Sequence, residues 1–439
     1  MPSISKVEQF RQVKSDIQKN KDNLLVGLDA SKKSSVGCFY NIGKEVLLKK
    51  YYINHNLEDF QRFTYKINQI MEMHNLKNII IGVEPTGNYH KPLAEYLKSK
   101  GYLVVYVSSV AAKSNRKTID SGRWGKNDTH DAYNVADLMR QGKIMFYRDE
   151  NTQSMNIRKY LLLRQRLMKI KTSLKIRIQN NIWACHFPEL CNIFPNTEDP
   201  DILLLLEHCP SGEQIANMDF QSFIRLFSPS ISQKSKRYLR LIQAWRIAKT
   251  SVGFPIPPAT ILESKIIARD IQRTQKNIAQ IDDILSESCL QNDVYYRLLS
   301  IPGFGIFTTA VFKSIIGDIN DFSHDRQLVK LAGLDIETMS SGNFKGKEKI
   351  SKKGNSLLRF AVCNATNVAV SKNKTIRQLF QDKLKERGNS KEAKAKLKIK
   401  FAEKLLRAAF VILKNNVPFD INLFNVPVDD PVVETLGLN

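Results

Sequence analysis

The sequence predicts an α/β domain built on a mixed sheet, followed by a long, mainly helical remainder. Three observations predict it. Three short apolar runs separated by turn residues open the chain, strand-like and helix-like segments alternate after them, and beyond residue 150 apolar positions step by three and four.

Asn23 to Leu28 reads as a buried strand, Val36 to Tyr40 as a second and Val46 to Ile53 as a third, with Asn41 and Gly43 marking the hairpin between the last two. That antiparallel start gives way to a helix near Leu57 to Met73, a strand Asn78 to Val83, a helix Tyr89 to Ser99, a strand Leu103 to Val107 and a helix near Asp131 to Arg140. Hairpin strands followed by strand–helix repeats describe a ribonuclease-H-like mixed sheet over residues 1–150. Residues 151–292 read as a helical region with an insertion. Tyr160, Leu163, Leu167, Ile170, Leu174 and Ile178 form one stripe, and Ile267, Ile271, Ile278, Ile281 and Leu285 form another. Such stripes fit an ordinary two-helix packing and equally a coiled-coil arm for self-association. Phe187 to Pro258 between them is mixed, and Pro255, Pro257 and Pro258 read as a joint. A mainly helical unit over 293–415 starts with Leu298 to Gly317, helical around a Pro-Gly break. A loop-rich stretch Gly333 to Lys353 and helices Ser356 to Val370 and Ala393 to Lys414 complete it. Residues 416–439 read as an extended acidic tail.

The 439 residues carry 67 Lys plus Arg against 43 Asp plus Glu, a formal charge of +24. An apolar fraction of 42% argues against bulk disorder, so the excess charge belongs to a folded protein whose natural counterpart is a polyanion, with nucleic acid ahead of an anionic membrane. Gly342 to Lys414 alone holds 20 Lys plus Arg against 5 Asp plus Glu, or +15 of the total. No apolar run reaches the roughly 18 residues of a membrane span. Lys6, Glu8 and Gln9 interrupt the place of a secretory core, and six scattered cysteines suggest no disulfide framework. A reducing cytoplasm is the expected compartment.

Asp29 follows the apolar run Leu24 to Leu28, where an unpaired carboxylate costs several kcal/mol unless it meets a cation. Glu84 ends the strand Ile79 to Val83 in the same manner, before Pro85, Thr86 and Gly87 break the strand. Asp128 and Asp131, three apart at a helix start, share one face near the positive end of the helix dipole. Four hard oxygen donors suit one or two Mg²⁺ ions, with Mn²⁺ as a substitute. Paired ions about 3.5–4 Å apart polarise a phosphodiester. The alternative is a helix cap for Asp128 and surface pairing for the rest. Gly27-Leu28-Asp29-Ala30-Ser31 also fits the first phosphate loop of actin-like ATPases, but no second Gly-rich loop follows, and a kinase has no use for +24.

Leu298 to Gly305 resembles a helix-hairpin-helix turn, in which Gly303 and Gly305 would let backbone amides approach a DNA phosphate; a plain capping turn is the alternative. Ser340-Ser341-Gly342-Asn343 reads as a loop, followed by Lys345, Lys347, Lys349, Lys352, Lys353, Asn355 and Arg359. By residue type alone Ser-Ser-Gly is a flexible turn, although cations beside it would help a serine hydroxyl attack a phosphate.

Taken together these motifs resemble the DEDD-type insertion-sequence transposases, also called bridge-RNA-guided recombinases, over most of the chain. The N-terminal half is similar to their RuvC-like domain in Val26-Gly27-Leu28-Asp29, Gly82-Val83-Glu84-Pro85-Thr86-Gly87 and Lys126-Asn127-Asp128-Thr129-His130-Asp131-Ala132. The C-terminal part is similar in Ser300-Ile301-Pro302-Gly303, Leu331-Ala332-Gly333-Leu334, Ser341-Gly342 and Ile350 to Asn355 through Leu358-Arg359. The resemblance implies that Asp29, Glu84, Asp128 and Asp131 bind metal. It implies that Ser341, with Ser340 as the neighbouring candidate, attacks DNA to leave a covalent phosphoserine. It implies contacts to nucleic acid from Gly303, Gly305, the five lysines from Lys345 to Lys353, Asn355 and Arg359. Double-stranded DNA of the element ends and target, a structured noncoding guide RNA, and a homodimer or homotetramer are the implied partners, with no membrane; a bacterial, nucleoid-associated location follows.

The competing readings are a RuvC-like junction nuclease in which water attacks, and a non-catalytic nucleic-acid-binding protein with structural acids. Cys185, His186, Cys191, His208 and Cys209 match no common zinc spacing and read as reduced, mostly buried thiols with neighbouring histidines. Phe304, Phe307, Phe312 and Phe322 read as core, and the lysines of Lys372 to Lys404 as phosphate contacts rather than a merely solvated face.

Overall fold

A computed structural model describes residues 6–43, 46–85, 87–119, 128–146, 152–227, 235–290, 293–337, 340–341, 344–345 and 349–424. The chain divides into two compact units, Met1–Glu150 and Asn151–Asn439.

The first unit runs α1 (Lys6–Lys19), β1 (Asn23–Ala30), β2 (Ser34–Asn41), β3 (Val46–Asn54), α2 (Leu57–Met73), β4 (Asn78–Val83), α3 (Lys91–Ser99), β5 (Leu103–Val107), α4 (Ser109–Ile119), α5 (Asp128–Arg140) and β6 (Ile144–Phe146). The strands form one sheet in the order β3-β2-β1-β4-β5-β6. β1 pairs antiparallel with β2 and parallel with β4, so it is covered on both edges, and its near-continuous apolar run follows from burial on both faces. The two-residue period sorts its side chains. Leu24, Val26 and Leu28 join Phe63, Ile67 and Leu97 of α2 and α3 in one core. Leu25 joins Ile80, Val135, Ala136 and Met139 in the other, beneath α1, α4 and α5.

The second unit begins with α6 (Thr152–Arg177), which passes through a π-helical turn at Ile178–Trp183 into short helices α7 (Ala184–His186), α8 (Leu190–Ile193), α9 (Pro200–His208), α10 (Gly212–Ala216) and α11 (Phe220–Arg225), then α12 (Lys236–Ala248). The 33-residue α13 (Pro258–Leu290) returns antiparallel to α6, tied by Arg164 to Asp282 at 2.5 Å and by Arg177 to Glu263. Beyond it lie α14 (Asp293–Tyr296), α15 (Ile306–Ile316), α16 (Asp325–Ala332), four two-residue strands β7 (Ile336–Glu337), β8 (Ser340–Ser341), β9 (Phe344–Lys345) and β10 (Lys349–Ile350), α17 (Ser356–Lys372), α18 (Lys374–Glu386) and α19 (Lys391–Asn415).

The mixed stretch 187–258 is a helical lobe with its own core around Trp183, Phe187, Phe194 and Phe223. Three expectations change here. First, the regular stripe of α13, from Ser264 and Ile267 through Ile271, Thr274, Ile278 and Ile281 to Leu285, is buried inside its own chain against α6, α9 and α15. Packing within the unit therefore accounts for it without a coiled-coil arm. Second, residues 151–292 and 293–415 are not separate. Ile157, Leu161, Ile281 and Leu285 share a core with Leu298, Phe312, Leu358 and Phe410. Third, the tail does not start at 416. Phe419 and Phe424 pack edge-on to one another, Phe424 meets Phe401, and Lys404 Nζ donates to the Phe424 carbonyl. Among the described residues no helix is long and apolar enough to cross a membrane.

Candidate active site

Leu28 pairs with Val83 as the last rung of the parallel β1–β4 ladder, so Asp29 and Glu84 each directly follow that rung toward the carboxyl ends of adjacent strands. Ladder and pleat also fix their face. Gly27 pairs with Gly82, and both face α5: a Cβ on Gly27 would stand 2.3 Å from Ala132 O and 2.5 Å from Ala136 N, and one on Gly82 would stand 2.2 Å from Met139 Sδ. Two residues on, Asp29 and Glu84 belong to that same face. Glycines in both strands let α5 lie directly on the sheet. Ala132, in its second turn, meets Val36 and Cys38, and Val36 is the rung opposite Asp29. The start of α5, which carries Asp128 and Asp131, thus lies toward the end of β1 that carries Asp29. The Asp128 side chain lies outside the described residues. Asp131 is 4% exposed and Glu84 9%.

Asp131 begins a stripe at three-residue steps, with Asn134 and Asp137, that faces α4. There Asn115 Nδ2 donates to Asn134 Oδ1 and Asp137 Oδ2, both at 2.9 Å, while Asn134 Nδ2 donates to Ala112 O at 2.9 Å. Arg140 and Gln141 also donate to Asp137. Burial would raise the Asp137 pKa, yet the hydrogen bonds from Asn115, Arg140 and Gln141 outweigh it and hold this carboxyl below the ordinary range. Asp131 itself faces Arg116, whose Nε lies 2.7 Å from Asp131 Oδ1. On α3's side of the sheet, His90 is buried with Nε2 3.2 Å from the Tyr106 hydroxyl, and burial followed by the charge of Lys91 lowers its pKa.

A fit to a divalent ion rests on donor chemistry and on one orphaned atom. Asp29, Glu84 and Asp131 are hard oxygen donors, and Asp131 Oδ1 is buried without a hydrogen-bond partner. Among the described residues no three His, Cys, Asp or Glu side chains stand close enough to hold an ion as they lie. The fit is therefore one of residue type and shared edge.

In the second unit, Ser341 is part of a nested hairpin rather than a loop. β7 pairs with β10 at the base, Ile336 with Ile350, and β8 pairs with β9 further out, Ser340 with Lys345 and Ser341 with Phe344. Only Gly342 and Asn343 separate the last pair, which puts Ser341 at the tip. The side chains of Ser340, Ser341 and Lys345, and all of Lys347, lie outside the described residues. The base is clasped. Ser351 N donates to Asp335 O and its Oγ to Asp335 Oδ1 at 2.6 Å, Lys352 N donates to Gly333 O, and Asn355 N to Leu331 O. Gly333, at φ +64°, and Gly354 sit so close that a Cβ on Gly354 would stand 2.4 Å from Gly333 N.

Residues 26–186 match a transposase family of the DEDD, IS110 type, and residues 295–381 match the family described as "Transposase IS116/IS110/IS902 family". The chain belongs to the IS110 family of transposases. All four acids lie in the first IS110-type region and the Ser341 hairpin lies in the second. The transposase for insertion sequence element IS1111A of Coxiella burnetii (strain RSA 493 / Nine Mile phase I) is 24% identical over 252 residues, 57% of this chain and 57% of that protein. The chain thus spans little more than half the length of that curated relative.

The structure gives several of the expected contact residues other work. Asn355 caps α17, its Oδ1 accepting from Leu357 N and Leu358 N, and Arg359 Nη1 donates to Ala332 O at 2.8 Å. Both side chains hold the clasp. Gly303, at φ +89°, would bring a Cβ to 2.1 Å from Ala365 O, so close packing of α17 requires this glycine, in place of the expected phosphate. Gly305 keeps an open side at the N-cap of α15. Lys349, Lys352 and Lys353 are exposed. Cys209 is buried, which pushes its thiol up to about 12, and His186 Nδ1 lies 3.0 Å from Phe254 O. Sequence reasoning missed Arg116, and with it the polar α4–α5 interface. An Asn-Arg pair on one helix opposite Asp131, Asn134 and Asp137 on the next was the available signal.

Proposed function

We propose that this chain is a transposase that cuts and rejoins the DNA of its own mobile element, using a divalent ion, Mg²⁺ or Mn²⁺, held by Asp29, Glu84, Asp128 and Asp131. The observation that supports the reading is the end of the β1–β4 ladder: Asp29 and Glu84 each follow its last rung, Leu28–Val83, and α5, which packs on Gly27 and Gly82 of the same strands, carries the other two acids in its first turn. When bound, the ion would neutralise phosphate charge and stabilise the oxygens that attack and leave.

Ser341 is the nucleophile in this reading. Its hydroxyl oxygen bonds to phosphorus, the hydroxyl proton is given up, and one deoxyribose oxygen leaves as a hydroxyl. A phosphoserine link then preserves the bond energy until another DNA hydroxyl attacks the same phosphorus and frees the serine. A backbone hairpin on a clasped base supports this role, since it holds the main chain at Ser341 with little freedom at its root. Guidance by a structured RNA is supported by the basic α18–α19 region, where Lys374, Arg377, Lys385, Arg387, Lys391, Lys394 and Lys396 are all exposed. Assembly into a dimer or tetramer is supported by α6, on which Leu163 and Ile170 stay 45% and 51% exposed between half-buried Tyr160, Leu167 and Leu174.

The test is denaturing electrophoresis after incubation with Mg²⁺, the co-expressed flanking RNA and labelled element-end DNA. Label should migrate with wild-type protein, and both Ser341→Ala and Asp29→Asn should abolish it. Equal cutting by wild type and Ser341→Ala without an adduct would instead establish attack by water.

A further inference from the structure

The α4–α5 interface contains two kinds of polar contact. Asn115, Asn134, Asp137, Arg140 and Gln141 form a network in which hydrogen bonds are made at 2.7–3.2 Å. Arg116 is the next residue after Asn115, and its contact with Asp131 differs. Nε and Oδ1 are 2.7 Å apart and both are buried, yet neither has a hydrogen-bond partner. An Arg-carboxylate pair selected to hold two helices together would be aligned, because the guanidinium fork rewards alignment. The helices are already held one turn further along. What the second contact supplies is charge: Asp131 is buried at the end of the sheet that also carries Asp29 and Glu84.

We infer that Arg116 is the resident counter-ion of Asp131 in the metal-free protein, and that an incoming divalent ion exchanges with it. This rests on the metal-binding reading above. A carboxylate as deeply buried as Asp131 loses hydration and is costly without a cation beside it, and Arg116 is the cation that stands there. Arg116 is suited to leave. Its side chain is 33% exposed against 6% for Asp131, so it has a path to water that the carboxylate lacks. Departure of the arginine leaves the Asn115–Asp137 network intact, so α5 keeps its place on the sheet.

Exchange has a measurable signature. If the guanidinium blocks Asp131 in about nine molecules of ten, the apparent affinity for the ion is roughly tenfold weaker than that of the open site, and removal of the blocking group restores it. Mn²⁺ titration by calorimetry, without nucleic acid, should therefore show Arg116→Met binding about tenfold tighter than wild type, Arg116→Lys close to wild type and Asp131→Asn much weaker. A second measurement uses wild-type protein and needs no variant to fold: modification of Arg116 by an arginine-selective glyoxal, read by peptide mapping, should rise when Mn²⁺ saturates the protein. If wild type binds Mn²⁺ while Arg116→Met binds equally or more weakly, or Arg116 reactivity stays constant, Arg116 is a structural ion pair and the exchange is refuted. If wild type binds no Mn²⁺ at all, the metal-binding reading itself falls, and the exchange falls with it.

Discussion

Substitution of Gly27 by alanine tests whether the site depends on α5 lying directly on the sheet. The new Cβ would stand 2.3 Å from Ala132 O and 2.5 Å from Ala136 N, whereas Cβ contacts shorter than 3.0 Å are essentially not found. The obstacle is helix backbone, which no rotamer change relieves, so α5 must retreat by at least about 0.7 Å at that point. Overpacking of this kind costs about 1–3 kcal/mol, and contact with backbone on two atoms puts Gly27→Ala at the upper end. Gly37 is the matched control: it lies in the neighbouring strand, and a Cβ there meets side chains, those of Leu28, Phe63 and Phe39, at 3.4–3.8 Å. Gly37→Ala should change stability by under about 1 kcal/mol. Urea unfolding followed by circular dichroism measures both variants, and Mn²⁺ calorimetry reads the carboxylates that α5 positions. Gly27→Ala should lose about 3 kcal/mol and, under the proposed metal-binding reading, at least tenfold in ion affinity, since displacement of a helix carrying two of the proposed ligands by tenths of an ångström is felt directly. Equal stability of the two variants with an unchanged titration would refute the dependence on close packing.

Three further outcomes follow from other parts of the molecule. Burial would raise the Glu198 carboxyl, but hydrogen bonds and charge from Lys171 and Lys175 outweigh it and bring it down to about 2. The sign is that of a depressed acid, so the pair contributes stability above the unfolded value near 4.5 and loses it as pH falls toward 2. Glu198→Gln should thus cost about 1–3 kcal/mol at pH 7 and progressively less in acid melts, and a gap that does not change with pH would sink the assignment. If the proposed RNA contact lies on α19, replacing Lys391, Lys394 and Lys396 by glutamine should flatten the log–log salt dependence of RNA binding by roughly 2–3, near one for each phosphate no longer neutralised, and an unchanged slope would refute that contact. Gly354→Ala would force a Cβ to within 2.5 Å of Leu331 O and spring the clasp; covalent DNA adducts should vanish while RNA retention on a filter persists, and wild-type adduct yield would show that the clasp does not position Ser341.

The first unit was legible because its physics is local. Short apolar runs bounded by turn residues place β1, β2, β4 and β5, and their ends mark Asp29 and Glu84. The paired glycines at 27 and 82 were visible only as motif letters, since their function is to admit a helix from elsewhere in the chain. The α13 stripe was ambiguous for a related reason: a heptad pattern specifies that a partner exists and leaves open whether that partner is in the same chain. The Ser341 hairpin reads as a loop in sequence because strands of two residues are too short to carry an apolar alternation. Asn355 and Arg359 were read as phosphate contacts because an amide that caps a helix and a guanidinium that binds a carbonyl use the same donors and acceptors that a phosphate would.

The antiparallel stem of α6 and α13 has a consequence for how such a chain can diverge. The lobe around Trp183 leaves the stem at Arg177 and returns at Glu263, and those two residues are paired. Its ends are therefore closed by the stem, so lengthening or shortening the lobe alters only the small logarithmic cost of a loop whose closure is already secured. The lobe is free to drift in sequence and size while the core beyond it, fed by Ile281, Leu285 and Cys289 from the far end of the same helix, stays constrained. The two family matches stop at residue 186 and resume at 295, on either side of the lobe and the returning arm of the stem. A head whose two ends are closed by its own stalk is thus a place where length and sequence can change at small cost to the core beyond it.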